Sequence, residues 1–411
     1  TSLIGAAEAL ILYGISGGIT YAFGAGGAFL IFTFFISHFK RNISKRLFIN
    51  EYVSSTFSHK EGIFLTIISV IIMMYIIIEM AVGVGFVFNG LFGVSFKITA
   101  FLSVLIAAIF VQHSGTKVVL VSDLISFVIV IFCFLYLSVI VFSTFELSFI
   151  REQLNLLSKE TENINYLAIL SKGSLRYLIS AIIVGIAQLI LDPSYYLKAA
   201  LLNDTKSLVS TFIIGGVLMF VPITLLGSII FGATYLSLGY DYSNSVNQST
   251  TIATKMLVDY FNEHTHIIMG IMIFLVAITT MISEFLGLLS LATIYISKNI
   301  TGNTDEEQIR FGRILTVIVG IITSLTAISL EKVSLLTLDI FFGIALSAVA
   351  GTVLCRLNPT FKKNKLSIVT IILLGIVSGF LIWIMTKGNW YFATLASFLL
   401  PPTIVFFEYL L

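Results

Sequence analysis

Residues 276–289 read V-A-I-T-T-M-I-S-E-F-L-G-L-L, which sets two threonines, a serine and a glutamate inside a run otherwise fit for lipid. Thr and Ser hydroxyls can bond back to a carbonyl one turn earlier, so the hydroxyls alone need no function. Glu284 has no such local outlet. At similar apolar depth lie Glu8 in I-G-A-A-E-A, Glu79 in Y-I-I-I-E-M-A-V-G, Asp192 in L-I-L-D-P-S-Y-Y-L-K and Asp339, whereas Lys and Arg are almost confined to connections and helix ends. A charged group at a helix centre costs about 2.5 to 3.5 kcal/mol on the insertion scale, so this accumulation needs a reason. Three chemistries are open: protonated acids making hydrogen bonds, a proton relay, or a cavity that accepts cations. Asp339 falls toward the end of its run, and a structural role is expected for it. His264 and His266 are expected to be a surface pair.

The elements that must carry these residues follow from composition. The chain has 411 residues, 58% hydrophobic and 11% charged, with a mean hydropathy of +1.05. Those values lie far outside soluble domains and describe an all-α polytopic membrane protein. Apolar runs long enough for a bilayer core of roughly 30 Å predict about twelve transmembrane helices. Their expected spans are 3–14, 18–39, 62–92, 96–111, 120–143, 176–203 with a break, 207–236, 265–296, 312–330, 335–355, 366–386 and 389–411. With the connection near Gly14–Gly18 outside, the inner side collects Lys40, Arg41, Lys45, Arg46, Arg310, Arg313, Lys362 and Lys363, as the positive-inside rule asks. The polar segments Glu146–Arg176 and Tyr240–His266 are read as outer loops or short surface helices.

Other function classes fall away. A net charge of +2 offers no basic surface for nucleic acid. Cys133 and Cys355 sit in apolar runs without metal-ligand spacing. No P-loop, nucleophile elbow or zinc motif occurs, so an enzyme is not expected. Thr1 and Leu411 each lie inside a hydrophobic run, which reads as a chain cut at both ends, and no signal peptide is evident.

Pro193 removes an amide hydrogen and disfavours helical geometry at Asp192, so the sixth span should break there. Backbone opened at depth is tolerated only where it lines protein or a water cavity. Residues 1–411 are expected to form one transport domain, with repeats at about 1–143 and 176–355 and extra helices at about 366–411. Helices one and six are then equivalent members of two five-helix halves, and paired interruptions in such helices point to a transporter site.

Four motifs in order now carry a resemblance. S-G-T-K-V-V-L-V-S-D-L-I-S, Ser114 to Ser126, is similar to G-G-x-x-A-V-x-x-T-D-x-x-Q of the solute:sodium symporter family; Gly115 and Asp123 keep their places, while Ser114, Ser122 and Ser126 depart. R-L-F-I-N-E-Y-V-S-S-T-F, Arg46 to Phe57, resembles T-L-x-E-F-L-x-x-R-F. D-P-S-Y-Y-L-K-A-A-L-L-N-D-T-K resembles Q-P-x-x-x-x-R-x-x-A-A-x-x-x-K, with Lys198 for Arg. G-I-S-G-G-I-T-Y-A-F-G, Gly14 to Gly24, resembles G-x-x-G-x-x-Y-x-x-G with one residue added.

The resemblance implies two inverted five-helix repeats of the leucine-transporter type, with broken helices 1 and 6 and two C-terminal helices. The family usually has one more helix ahead of this core, which would fall before Thr1 of this sequence. Sodium as the coupling ion is implied between helices one and eight. The eighth-helix stretch matches A-x-x-S-T/S-x-x-x-x-L with Thr279 and Thr280 as a hydroxyl pair and Val276 as a carbonyl donor; anchoring at Gly14 puts Ile4 and Ala7 in the carbonyl positions of helix one. Oxygen ligands suit a hard ion, and neutral ones let it leave. Asp123 matches an acid that attracts the ion toward the cytoplasm.

Ala6 stands where proline and sugar carriers place Asp or Asn, and Ile11 where sugar carriers are polar, so sugar transport is disfavoured. Glu8, Ile11, Glu79 and Asp192 are the candidate solute contacts, favouring an amino acid, an amine or a similar small solute; Glu284 is a candidate for cation tuning or proton relay. The expectation is sodium-coupled import by alternating access, by a monomer embedded in lipid, in a bacterial inner (plasma) membrane, without nucleic-acid partners. Two alternatives stay open: a proton-coupled symporter of the same fold, and the membrane input module of a sensor kinase.

Overall fold

The computed structural model describes residues 2–42, 47–160, 164–202, 204–239, 251–296, 304–331, 333, 335–356 and 366–410. In order, the helices are α1 (Ser2–Tyr13), α2 (Ile15–Asn42), α3 (Ile49–Thr56), α4 (His59–Phe92), α5 (Phe96–His113), α6 (Thr116–Thr144), α7 (Leu147–Glu160), α8 (Lys172–Leu191) and α9 (Pro193–Ala200). An interrupted helix follows, α10 (Thr205–Ser237), then α11 (Thr251–Tyr260) and α12 (Glu263–Ile296). The last four are α13 (Asp305–Ser329), α14 (Leu335–Arg356), α15 (Ile368–Met385) and α16 (Trp390–Leu410). Among the described residues, 11 helices are long and apolar enough to cross a membrane, and α1 supplies a shorter apolar one over Leu3–Tyr13. This accommodates the expected order of two five-helix sets, α1, α2, α4, α5, α6 and α8/α9, α10, α12, α13, α14, followed by α15 and α16. Lys45, Arg46, Lys362 and Lys363 lie outside the described residues, as do the whole 357–365 connection and the whole 240–250 stretch.

Each interruption has a local cause. Gly14 closes the α1–α2 turn at φ 71, where an L side chain is strained. The Ile15 amide donates to the Tyr166 carbonyl at 2.9 Å, and a Cβ on Gly14 would lie 2.6 Å from the Tyr166 Cα. At Asp192 the backbone is extended (φ −87, ψ 112), and its carboxylate accepts from the Ser194 amide at 2.8 Å, capping α9 with Pro193 in its first turn. The Tyr196 hydroxyl donates to the Ile190 carbonyl at 2.6 Å, satisfying an acceptor that the break strands at the end of α8. Thus the expected break in helix six is present and sealed by its own side chains. Over Ser2–Tyr13, by contrast, α1 is a single continuous helix, and the break expected in helix one is not seen there.

α10 carries two π turns, Ile214–Met219 and Ser228–Ala233. The first precedes Pro222, whose missing N–H cannot serve the ordinary α register. α15 begins on acids from distant helices: Glu61 accepts from the Ile368 amide at 2.8 Å and Glu408 from the Leu366 amide at 2.6 Å. Carboxylates suit the unpaired amides and positive end of a helix N-terminus.

The chain forms two compact units, Thr1–Ile19, Met73–Ser171 and Pro222–Leu335 in the first, and Thr20–Ile72, Lys172–Val221 and Leu336–Leu411 in the second. In the first, α12 packs on α5 and α6, α13 packs on α5 and α12, and α1 packs on the second π turn of α10. In the second, α15 pairs with α16 and α16 with α8, while Phe32 meets Tyr195, Tyr196 and Phe212 edge to face. Lipid removes most of the hydrophobic drive between spanning helices, so close contact and small residues hold them together.

Candidate functional site

α12 is capped by Asn262, whose side chain accepts from the Thr265 amide at 3.1 Å. His264 is exposed in the first turn, whereas His266 is half-buried and its Nε2 meets the Leu257 carbonyl at 2.9 Å, so only the first of the expected surface pair is fully exposed. Four turns on, the Thr280 hydroxyl donates to the Val276 carbonyl at 2.8 Å; the Thr279 hydroxyl donates to Leu275 at 2.8 Å and to Val276 at 3.2 Å. A threonine hydroxyl has one proton and two lone pairs. With the proton turned back to the helix, each Oγ1 presents only acceptor capacity elsewhere, which suits a cation. Val276 is placed differently: its carbonyl accepts the Thr280 hydroxyl at 2.8 Å and the Thr279 hydroxyl at 3.2 Å besides the amide four residues on, so both of its lone pairs are already engaged.

One turn further, the Ser283 hydroxyl comes within 3.5 Å of Asp123 Oδ2 on α6. Sequence reading quoted Ser283 without assigning it. Its spacing of three and four from Thr280 and Thr279 was the available signal, since such residues share a helical face. Glu284, beside it, is 4% exposed. The structure therefore joins Asp123 to the polar stretch of α12.

On α1, Ile4, Ala7, Glu8 and Ile11 are all buried, Glu8 to 3% exposure. In an α-helix each carbonyl accepts from the amide four residues on, leaving one lone pair on Ile4 and on Ala7. Ile4, Ala7 and Ile11 share a hydrophobic cluster with Met269, Met272 and Ile273 of α12, which lie just ahead of Val276. Glu79 is buried on the part of α4 that belongs to the same unit. Asp192 is fully buried but belongs to the second unit, where it caps α9. Among the described residues, no three His, Cys, Asp or Glu side chains cluster as metal ligands would. A cation here would rest on hydroxyls, carbonyls and single carboxylates, the donor set of a hard, exchangeable ion.

Comparison with known proteins sets this geometry in context. Residues 1–358 match the family model described as the sodium:solute symporter family. No curated protein matches the chain. A solved structure described as the substrate-bound, outward-open state of a Na+-coupled sialic acid symporter with a novel Na+ site is similar at a TM-score of 0.70 and 12% identity, covering 98% of this chain and 88% of that one. At that identity the likeness carries the fold.

Proposed function

The chain belongs to the sodium:solute symporter family, and from that premise we propose sodium-driven import of a small organic solute by alternating access, with residues 1–411 acting as one transport domain. It is an integral membrane transporter with Na+ as coupling ion, not an enzyme. The observation that carries the site assignment is the Thr279–Thr280 pair, both hydroxyl protons spent on their own helix. Sodium is held by these two oxygens with the Ile4 and Ala7 carbonyls, Val276 fixing the hydroxyl protons rather than touching the ion, and Asp123 draws the ion in. Coupling follows from differential affinity, since a ligand that binds two states equally shifts neither. Moving a carrier from 1:99 to 99:1 takes roughly 10⁴-fold preference, about 5.5 kcal/mol.

Glu8, Ile11 and Glu79 are the proposed solute contacts in the first unit; Asp192, the other expected contact, belongs to the second unit and caps α9 there. Buried carboxylates favour a solute with an ammonium or other cationic group, such as an amino acid or amine. The protein works as a monomer surrounded by lipid, in a bacterial inner membrane. Burial of Glu284 one turn from Thr280 supports a second reading, proton coupling.

A thermal-shift screen of amino acids and amines in sodium identifies the solute, and proteoliposomes then report its uptake. An inward sodium gradient should drive accumulation in the wild type and fail to do so in Thr280→Ala. Accumulation driven by a pH gradient without sodium, and lost in Glu284→Gln, would establish proton coupling instead.

A further inference from the structure

The second π turn of α10, Ser228–Ala233, packs against α1 through its backbone. A Cβ built on Gly232 would lie 2.7 Å from the Ala7 carbonyl oxygen, 3.1 Å from its Cα and 3.2 Å from its carbonyl carbon. All three are main-chain atoms and cannot swing aside as a side-chain end can. Gly17 meets α1 in the same way, against the Ala9 carbonyl, but two other close approaches differ in kind. Gly227 faces the Leu3 methyl Cδ2 at 2.5 Å, and Gly18 of α2 faces the Ser228 hydroxyl at 2.3 Å, both groups that can move.

Gly232 lies inside the π turn. One residue added to a helix turns everything after it by about 100°. The Thr234 hydroxyl reaches the Ile229 carbonyl five residues back, at 3.4 Å, as the wider turn allows. The Gly232 contact falls on the Ala7 carbonyl, one of the oxygens assigned to sodium above.

We infer that Gly232 is a positioning residue for the Ala7 carbonyl and thereby sets the affinity of the carrier for sodium, an inference that rests on the sodium site proposed above. Gly232 touches no ion itself. Its missing side chain lets α10 seat α1 at the depth where the carbonyl oxygen can complete the oxygen set with Thr279 and Thr280. Groups that orient a metal ligand typically change affinity roughly 10–100-fold when altered.

Sodium-dependent stabilisation of the purified protein, titrated against choline, gives the half-saturating sodium concentration without a known solute; solute uptake gives the maximal rate once one is found. Gly232→Ala should raise half-saturating sodium roughly 10–100-fold while keeping the maximal rate at saturating sodium. Gly227→Ala, which presses only on Leu3, should leave both unchanged. A Gly232→Ala protein with wild-type half-saturation, beside a Thr280→Ala protein that has lost its sodium response, would overturn the inference and leave the sodium site standing. An undiminished sodium response in Thr280→Ala would overturn the site and the inference together. Should Gly232→Ala fail to fold, hydrogen exchange on the wild type decides. Sodium should slow amide exchange across residues 228–237, and unchanged exchange there while residues 276–284 slow would overturn the inference.

Discussion

A hydroxyl that gives its proton to its own helix can only accept from what lies outside, and many threonines here are placed so. What sets Thr279 and Thr280 apart is that they are adjacent and one turn from Ser283, which reaches Asp123. Removing one such oxygen from a cation should cost about 1.5–3 kcal/mol, by analogy with hydrogen bonds to charged groups. Sodium affinity in Thr280→Ala should therefore fall roughly ten- to hundredfold, while Thr280→Ser keeps the oxygen and restores most of it. Sodium titrations of thermal stability on the three proteins check this. The pair was legible in sequence because two hydroxyls and an acid interrupt an apolar run. The approach of Ser283 to Asp123 was not, because 160 residues separate them and only the packing of α6 on α12 joins them. A simpler residue-scale effect lies at the start of α10. The exposed Asp204 carboxyl is held below its usual range, first by the hydroxyl of Ser207 and then by its amide. Its folded pKa is depressed, so its capping contribution is complete above the unfolded value near ~3.9 and is lost as pH falls through the lower folded value. Melting curves below about pH 4 should fall more steeply for the wild type than for Asp204→Asn.

At the scale of elements, the break between α8 and α9 was readable from Asp-Pro alone, since Pro disfavours the helix and a preceding Asp can cap the next one. What closes it was not readable: nothing in L-D-P-S-Y-Y says that the second tyrosine returns to Ile190. Tyr196→Phe should leave that buried carbonyl without its donor, at a cost of about 1–3 kcal/mol, seen as a lower melting temperature with the helix content retained. The α1–α2 turn depends more on backbone. Gly14→Ala would force a side chain into both a left-handed φ and the Tyr166 backbone, where strain of about 1–3 kcal/mol is typical of such φ values. Reduced yield and melting temperature are expected, with limited proteolysis opening first around residues 14 and 166. The π turns of α10 escaped sequence reading almost wholly. Pro222 marks the first after the fact, but the second depends on how α10 meets α1, and no residue pattern within Ser228–Ala233 announces it.

For the whole molecule, composition alone was enough for a helical membrane protein, and four ordered motifs were enough for its family. The division into two compact units was not foreseen, because helices α2, α4 and α10 each run from one unit into the other and hydropathy treats each as one span. It bears on the site: every oxygen assigned to sodium belongs to the first unit, while Asp192 belongs to the second. Sodium binding should therefore survive Asp192→Asn, whose melting temperature in sodium and choline should keep the wild-type difference. The central claim is most directly tested on purified protein without any solute, by comparing thermal unfolding in sodium chloride and choline chloride for the wild type and a Thr279→Ala, Thr280→Ala double variant. A bound ion stabilises the folded state in proportion to occupancy, so sodium should raise the wild-type melting temperature and leave the double variant where choline leaves it. Equal melting of the wild type in both salts, or an undiminished sodium shift in the double variant, would contradict the assignment.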